Sequence, residues 1–354
     1  MSWSLAIFLI YSCLPSNNLE DSNNTTLTTS NTTGSKVKYE GTRFNGLNIS
    51  APPDPFEVDP MIDIKAIASN YVAVIPYAYC RKGNPKVRYN LGGWQWWGER
   101  PEGVRKTIEL AKAAGVNVML KPQVYVPGSW TGGIDFNKES DWQAWEAEYR
   151  KYIFTFVKIA QEMNVDILCI GTEFKKSAQK REKFWRDLIK EIRTMYDGPL
   201  TYAANWDEYR QVNFWDDLDF IGVDAYFPLS SEKTPKVETL KSKWKPIVGK
   251  IKTVSEKFSK PIIFTEYGYL SIDGCAGRTW ELEKRIKSSN INEQAQANAL
   301  QALYEVFGEE DFWAGGFLWK WYPRGGGHVE YPGRDYTPQG KIAHDVVKNF
   351  YLKN

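Results

Sequence analysis

The sequence predicts an α/β fold, a single (β/α)8 or TIM barrel, and three observations carry that reading. At 354 residues the chain is too long for one ordinary open α/β sheet and comfortable for one barrel with insertions. From residue 44 onward, short apolar runs alternate with amphipathic helical patterns, the signature of a parallel sheet covered by helices. Two of those runs, Asp166 to Thr172 and Pro261 to Thr265, are followed at once by Glu173 and Glu266. Carboxylates do not belong inside buried strands, but they suit the C-terminal mouth of a parallel barrel. The spacing of the two fits about three βα units at roughly 30 residues each, which puts them on the fourth and seventh strands.

Taken in order, strands are expected at Gly46 to Ser50, Tyr71 to Tyr77, Asn117 to Val124, Asp166 to Thr172, Leu200 to Ala204, Phe220 to Tyr226, Pro261 to Thr265 and Gly315 to Trp319. The helices between them are legible too. Residues 101 to 114 begin with Pro101 and are followed by Gly115, the asymmetry that helix ends favour. Phe184, Leu188, Ile189, Ile192 and Met195 recur at steps that place them on one helical face. Asn292 to Phe307 closes the last crossover.

The segment before the barrel divides in two. Ser4 to Tyr11 is an apolar run too short to span a bilayer as a mature helix. The following Ile10-Tyr11-Ser12-Cys13 resembles a bacterial lipobox, so residues 1–13 read as a lipoprotein-type signal segment with Cys13 as the lipid anchor. Residues 14–37, rich in Ser, Asn and Thr, have too little apolar surface to fold and read as a flexible tether. Residues 38–354 are then the barrel domain. The expected location is a bacterial cell envelope, lipid-anchored or secreted, with a membrane reached only through that anchor.

Composition narrows the chemistry. A net charge of +2 gives no electrostatic argument for a nucleic-acid partner and favours a neutral ligand. With two His and no CxxC pair, His-ligated metals, His-based triads and zinc ribbons are disfavoured, and no metal or organic cofactor is implied. Cys169 reads as a small buried hydrophobe within a strand. Gly325 to Gly327, beside His328, has no helix-opening lysine after it and reads as a mobile loop, not a phosphate cradle. Aromatics are abundant: 15 Trp, 20 Tyr and 17 Phe. Some must be core, but aromatic faces also stack on the C–H faces of pyranose rings. Trp94, Trp96, Trp97 and Trp130 fall in loops after strands two and three, where binding subsites explain them better than idle surface.

Glycosidic bonds break through an oxocarbenium-like transition state that needs one carboxylic acid on the leaving oxygen and a second carboxyl beneath the ring. Glu173 and Glu266 supply such a pair. Strand alternation predicts Gly171 and Cys169 on the face of Glu173, and Phe264 and Ile262 on the face of Glu266. It does not say which carboxyl keeps its proton. Lys121 and Gln123 share a face and are expected to contact sugar hydroxyls, with a Lys121–Glu99 pair as the alternative. Asn205, beside Trp206, is a candidate donor to a sugar hydroxyl, or else a turn residue. Tyr226 could bond the nucleophile, and Asp224 shares its face. Trp319 and Trp321, two apart, are expected to face the same way as a platform under the reacting sugar.

The order Gly171-Thr172-Glu173-Phe174, then Asp224-Ala225-Tyr226, then Phe264-Thr265-Glu266-Tyr267, then Phe317-Leu318-Trp319-Lys320-Trp321 resembles glycoside hydrolase family 113, a β-mannanase family of the clan A retaining barrels. Trp97-Gly98-Glu99 and Leu120-Lys121-Pro122-Gln123 match the same pattern, so the resemblance covers roughly residues 40 to 348. It implies Glu173 as acid/base and Glu266 as nucleophile. Many clan A enzymes have asparagine before the acid/base, whereas Thr172 stands here, so the usual contact to the sugar 2-hydroxyl must come from elsewhere.

The function expected is a retaining, endo-acting β-mannanase whose partner is a β-linked oligo- or polysaccharide. A glycanase acting on glucan, xylan or galactan is the first alternative, because specificity lives in loops that the fold does not determine. A non-catalytic carbohydrate-binding lipoprotein is the second, although a pure binder has no need of two convergent carboxylates.

Overall fold

The computed structural model describes residues 36–323 and 330–353. Cys13, the tether up to residue 35 and the Gly325–His328 segment lie outside the described residues.

The barrel closes as expected. Its strands are β1 (Phe44–Ile49), β2 (Tyr71–Val74), β4 (Asn117–Leu120), β6 (Ile167–Thr172), β7 (Leu200–Asn205), β8 (Phe220–Asp224), β9 (Ile262–Tyr267) and β10 (Trp313–Trp321), paired in that order, with β10 returning to β1. Each described pairing is parallel. Glu173 follows the fourth barrel strand, as predicted. Glu266 lies within the seventh, which runs on to Tyr267 instead of ending at Thr265.

Two predicted strands are each divided. Tyr71 to Tyr77 becomes β2 and the start of β3 (Tyr77–Tyr79), and Asn117 to Val124 becomes β4 and most of β5 (Gln123–Tyr125). Pro76 and Pro122 sit at the breaks, where a residue without an N–H interrupts the ladder. Beyond them β3 and β5 pair with each other as a separate two-stranded sheet extending the mouth.

The helices are α1 (Met61–Ala66), α2 (Pro101–Ala113), α3 (Glu139–Glu162), α4 (Lys175–Lys180), α5 (Glu182–Ile192), α6 (Val237–Phe258), α7 (Thr279–Glu283), α8 (Glu293–Phe307) and α9 (Ile342–Tyr351). α2 opens on Pro101, and Gly115 beyond its end takes φ +71°, a conformation that glycine adopts without a Cβ clash. Asn292 caps α8 by accepting from the Ala295 N–H at 3.0 Å. α5 buries Phe184, Leu188, Ile189 and Ile192 as its periodicity predicts, but it ends before Met195, which is exposed.

Two apolar layers result. Phe44, Ala73, Met119, Ile167, Cys169, Ala203, Ile263 and Phe317 fill the barrel interior, confirming Cys169 as a buried small side chain. A larger layer lies between strands and helices, and much of the aromatic content is spent there. Trp145, Trp185, Trp215, Trp244 and Trp313 are fully buried. At the C-terminal end the interior turns polar, with Asn48, Lys121, Asp224 and Glu266 all buried.

Candidate active site

Alternation alone would not aim both glutamates into the mouth. The pairing of β6 with β7 slips between Cys169 and Thr172, and Glu173 then takes a left-handed backbone with φ +56°. Cys169 stays in the interior, but a Cβ on Gly171 would meet the Trp185 ring at 2.7 Å, on the helix side. Gly171 therefore does not lie beneath Glu173, contrary to the alternation. The same correction applies at β9. Ile262 and Phe264 join the helix-facing layer and Ile263 the interior, while Thr265 and Glu266 both turn towards Asp224 and Lys121. A register shift opposite Val223 and Asp224 supplies the extra residue, as a β-bulge does when it re-aims a side chain beside a site. Asn48 Nδ2 bonds the Thr265 and Phe317 carbonyls at 3.2 and 3.0 Å, tying the strands together there.

Glu266 is 7% exposed and fully held. The Lys121 ammonium donates to Oε1 at 2.6 Å, Gln123 Nε2 donates to the same oxygen at 2.7 Å, and the Tyr226 hydroxyl donates to Oε2 at 2.8 Å. The bond foreseen from Tyr226 goes to Glu266. Lys121 and Gln123 spend their bonds on Glu266, and the alternative Lys121–Glu99 pair does not form. Glu99 instead accepts from the Tyr79 hydroxyl at 2.8 Å.

The electrostatics separate the carboxyls. Glu173, Asp224 and Glu266 feel one another's charge, and the buried Lys121 ammonium is bonded to Glu266. Burial, then the Glu266 charge, push Glu173 up to about 8. The same two causes in the same order hold Asp224 well above the usual carboxylate range; Thr265 Oγ1 donates to its Oδ1 at 2.7 Å, and its Oδ2 is buried without a partner. Lys121 can balance one negative charge, and the carboxyl it touches is Glu266. The geometry therefore sets Glu266, bonded to the Lys121 ammonium, against a Glu173 that keeps its proton to higher pH than an ordinary carboxyl, the pairing of environments that separates acid from base.

Glu173 and Glu266 line one cleft of about 740 Å³ together with Trp130, Asn205, Trp206, Tyr226, Trp280, Trp319 and Tyr336. Trp130, from the loop after β5, donates its indole N–H to Glu173 Oε2. Asn205 Oδ1 accepts from the Trp206 N–H at 2.9 Å, which leaves Nδ2 for a hydroxyl. Behind it Glu208 is buried, takes the Tyr202 hydroxyl at 2.8 Å, and is pushed by burial up to about 7. Trp319 places its ring 5.5 Å from the Lys121 ammonium.

Three predicted site residues fall elsewhere, among them Glu99, which is buried against Tyr79 and does not line the cleft. Trp321 is buried away from the cleft with its ring 6.3 Å from His344 of α9. Asn48 pairs with Trp319 and Ile49 with Trp321, so Lys320 is an extra residue and the alternation that would align the two tryptophans is broken. Trp97 meets Phe56 edge-on at 5.5 Å and does not line the cleft. Conversely, Trp280 and Tyr336 were not anticipated. Trp280 stacks on Trp206, rings 5.6 Å apart and 11° from parallel, yet it sits in a charged stretch, Arg278 to Arg285, that reads as an ordinary surface helix.

The model of Glycoside Hydrolase Family 113 matches residues 59–341. Among solved structures, a GH113 β-1,4-mannanase is 25% identical with a TM-score of 0.75, covering 89% of this chain and 100% of its own. A GH113 β-mannanase from Alicyclobacillus acidocaldarius in complex with ManMIm is 26% identical with a TM-score of 0.74, covering 89% and 98%. A β-glucuronidase from Ruminococcus gnavus, 14% identical at TM-score 0.59 over 89% of this chain and 50% of its own, shares the fold alone. Among curated proteins, none matches the chain. With the family matched across most of its length and its barrel closed around one cleft that holds Glu173 and Glu266, the chain belongs to glycoside hydrolase family 113.

Proposed function

We propose that this glycosidase is a retaining, endo-acting β-mannanase that cleaves β-1,4-mannosidic bonds by double displacement. The observation that carries the reading is the unequal carboxyl pair: Glu266 bonded by Lys121, Gln123 and Tyr226, and Glu173 raised by burial and by the Glu266 charge. In the first step a Glu266 oxygen attacks the anomeric carbon while Glu173 gives its proton to the departing glycosidic oxygen, leaving a covalent glycosyl–enzyme. In the second, Glu173 takes a proton from water, whose oxygen displaces Glu266. A pure binder would have no use for a carboxylate fixed by three donors opposite a protonated one.

Mannan as the substrate is supported by the solved relatives, whose β-mannanase names go with 25% and 26% identity to this chain. The lipid on Cys13 and a cell-envelope location are proposed from the sequence motif alone. The test is product analysis on mannohexaose with the wild-type protein, following the anomeric configuration of the first-formed ends by NMR. Internal products with initial β configuration are expected. Initial α products would mean inversion, and a crystal structure would then show carboxyls wider apart than the roughly 5 to 5.5 Å of a retaining pair. Cleavage of cellulose, xylan or galactan in preference to mannan would replace the substrate and keep the mechanism.

A further inference from the structure

The two-stranded sheet of β3 and β5 projects from the mouth, and its outer end takes no part in the chemistry above. In its parallel register Tyr77 stands beside Gln123 and Tyr79 beside Tyr125. Side chains two apart on a strand share a face, so Tyr79 and Tyr125 continue the face from which Gln123 reaches Glu266. At about 3.3 Å per residue they lie roughly 7 Å further out along the strands. Their rings meet edge-on with centroids 6.1 Å apart, and Trp94 meets Tyr79 in the same manner at 5.6 Å.

These rings are held in place. The Tyr79 hydroxyl is bonded to Glu99 at 2.8 Å. Gln95 clamps the loop that carries Trp94, donating to the Tyr77 carbonyl at 2.7 Å and accepting from the Leu91 N–H at 3.2 Å. Yet the faces stay open, with Trp94 72% and Tyr125 51% exposed. Exposed rings that rest edge-on against an anchored Tyr79 present an apolar surface at reduced ordering cost to a ligand, while remaining unfavourable in water alone.

We propose that Tyr79, Trp94 and Tyr125 form a distal subsite for a neutral pyranose unit, occupied by the same β-linked glycan chain beyond the sugars at the cleavage point. Gln123, which touches Glu266, lies two residues inward of Tyr125 on the same strand, so the rings stand only a sugar's length or so further out than a residue that holds the nucleophile. Pyranose C–H faces suit the rings, and the Tyr79 hydroxyl oxygen, which donates its proton to the buried Glu99, can still accept from a sugar hydroxyl. The inference rests on the glycan-cleaving reading of Glu173 and Glu266 and extends it to the length of substrate engaged.

The experiment compares Trp94→Ala, Tyr125→Ala and the double variant with the wild type on mannohexaose, and on an activated aryl β-mannoside too short to reach the rings. Each single change should lower kcat/KM on the hexamer about tenfold, mostly through KM, with little change on the aryl substrate. An unchanged hexamer value, or equal losses on both substrates, overturns the subsite. Glu173→Gln is assayed beside them: if it cleaves the hexamer as the wild type does, the catalytic reading fails whatever the ring variants do. Should the wild type cleave neither substrate, calorimetric titration with mannohexaose decides the subsite directly. Weaker binding by Trp94→Ala supports it, and unaltered affinity overturns it.

Discussion

The indole N–H of Trp130 donates to Oε2 of Glu173, so the proton of the raised carboxyl is left to Oε1. A donor held to a carboxylate stabilises its charged form, which makes this bond the counterweight to the burial and the Glu266 charge that raise Glu173 to about 8. Trp130→Phe keeps a ring on the loop and removes the donor. Glu173 should then hold its proton to higher pH, and the basic limb of kcat/KM on a glycan should move upward. A limb that stays where the wild type has it would show that Trp130 does not govern this proton.

The same carboxyl links the fold to pH. With its folded value raised from 4.5 to about 8, Glu173 holds a proton in the folded chain across a range where the unfolded chain has lost it. Stability therefore falls as pH rises through that window. Glu173→Gln cannot lose a proton, so its Tm advantage over the wild type should widen between about pH 4.5 and pH 8 and then level off. A constant Tm difference would mean that the folded carboxyl titrates normally.

Glu173→Ala should separate substrates by leaving group. A nitrophenolate departs without a proton, so formation of the covalent intermediate from an aryl mannoside should be spared while mannan is nearly inert. The intermediate should accumulate, because the base for its hydrolysis is also missing. Pre-steady-state release of the phenol reads this, and equal losses on both substrates would give Glu173 a structural role.

Glu266→Ala should lower turnover by several orders of magnitude, because no nucleophile remains. Azide should restore cleavage of an activated substrate and yield an α-glycosyl azide, the small anion entering from the vacated face. A variant that keeps more than about a tenth of the wild-type rate, a barrier change below roughly 1.4 kcal/mol, contradicts the assignment.

Lys121→Met leaves the buried Glu266 carboxylate without its cation. Breaking one half of a buried pair costs about 3–5 kcal/mol, and denaturant unfolding should show a loss of that size. Adding Glu266→Gln should recover part of it, since the stranded charge is then gone. A double variant no more stable than Lys121→Met alone would mean that the pair contributes through packing and not through charge.

Much of this protein is legible in the linear chain because it depends on local periodicity. Eight apolar runs of strand length, helix signals such as Pro101 and Gly115, and carboxylates after the fourth run and on the seventh follow from burial and backbone sterics, which each segment expresses by itself. The partnership of Tyr226 with Glu266 was also foreseeable from position. The tertiary structure alone decided which way several side chains point. Strand alternation assumes a regular ladder, and the slips at Gly171, Thr265 and Lys320 come from pairing with neighbouring strands far away in sequence. They turn Gly171 towards the helices, Glu266 into the mouth on the side opposite Phe264, and Trp321 away from Trp319. The protonation pattern is likewise a property of the assembled site: carboxyls on β8, on β9 and just beyond β6 gather near one ammonium just beyond the third barrel strand, and Lys121 bonds Glu266 while burial and the Glu266 charge raise Glu173.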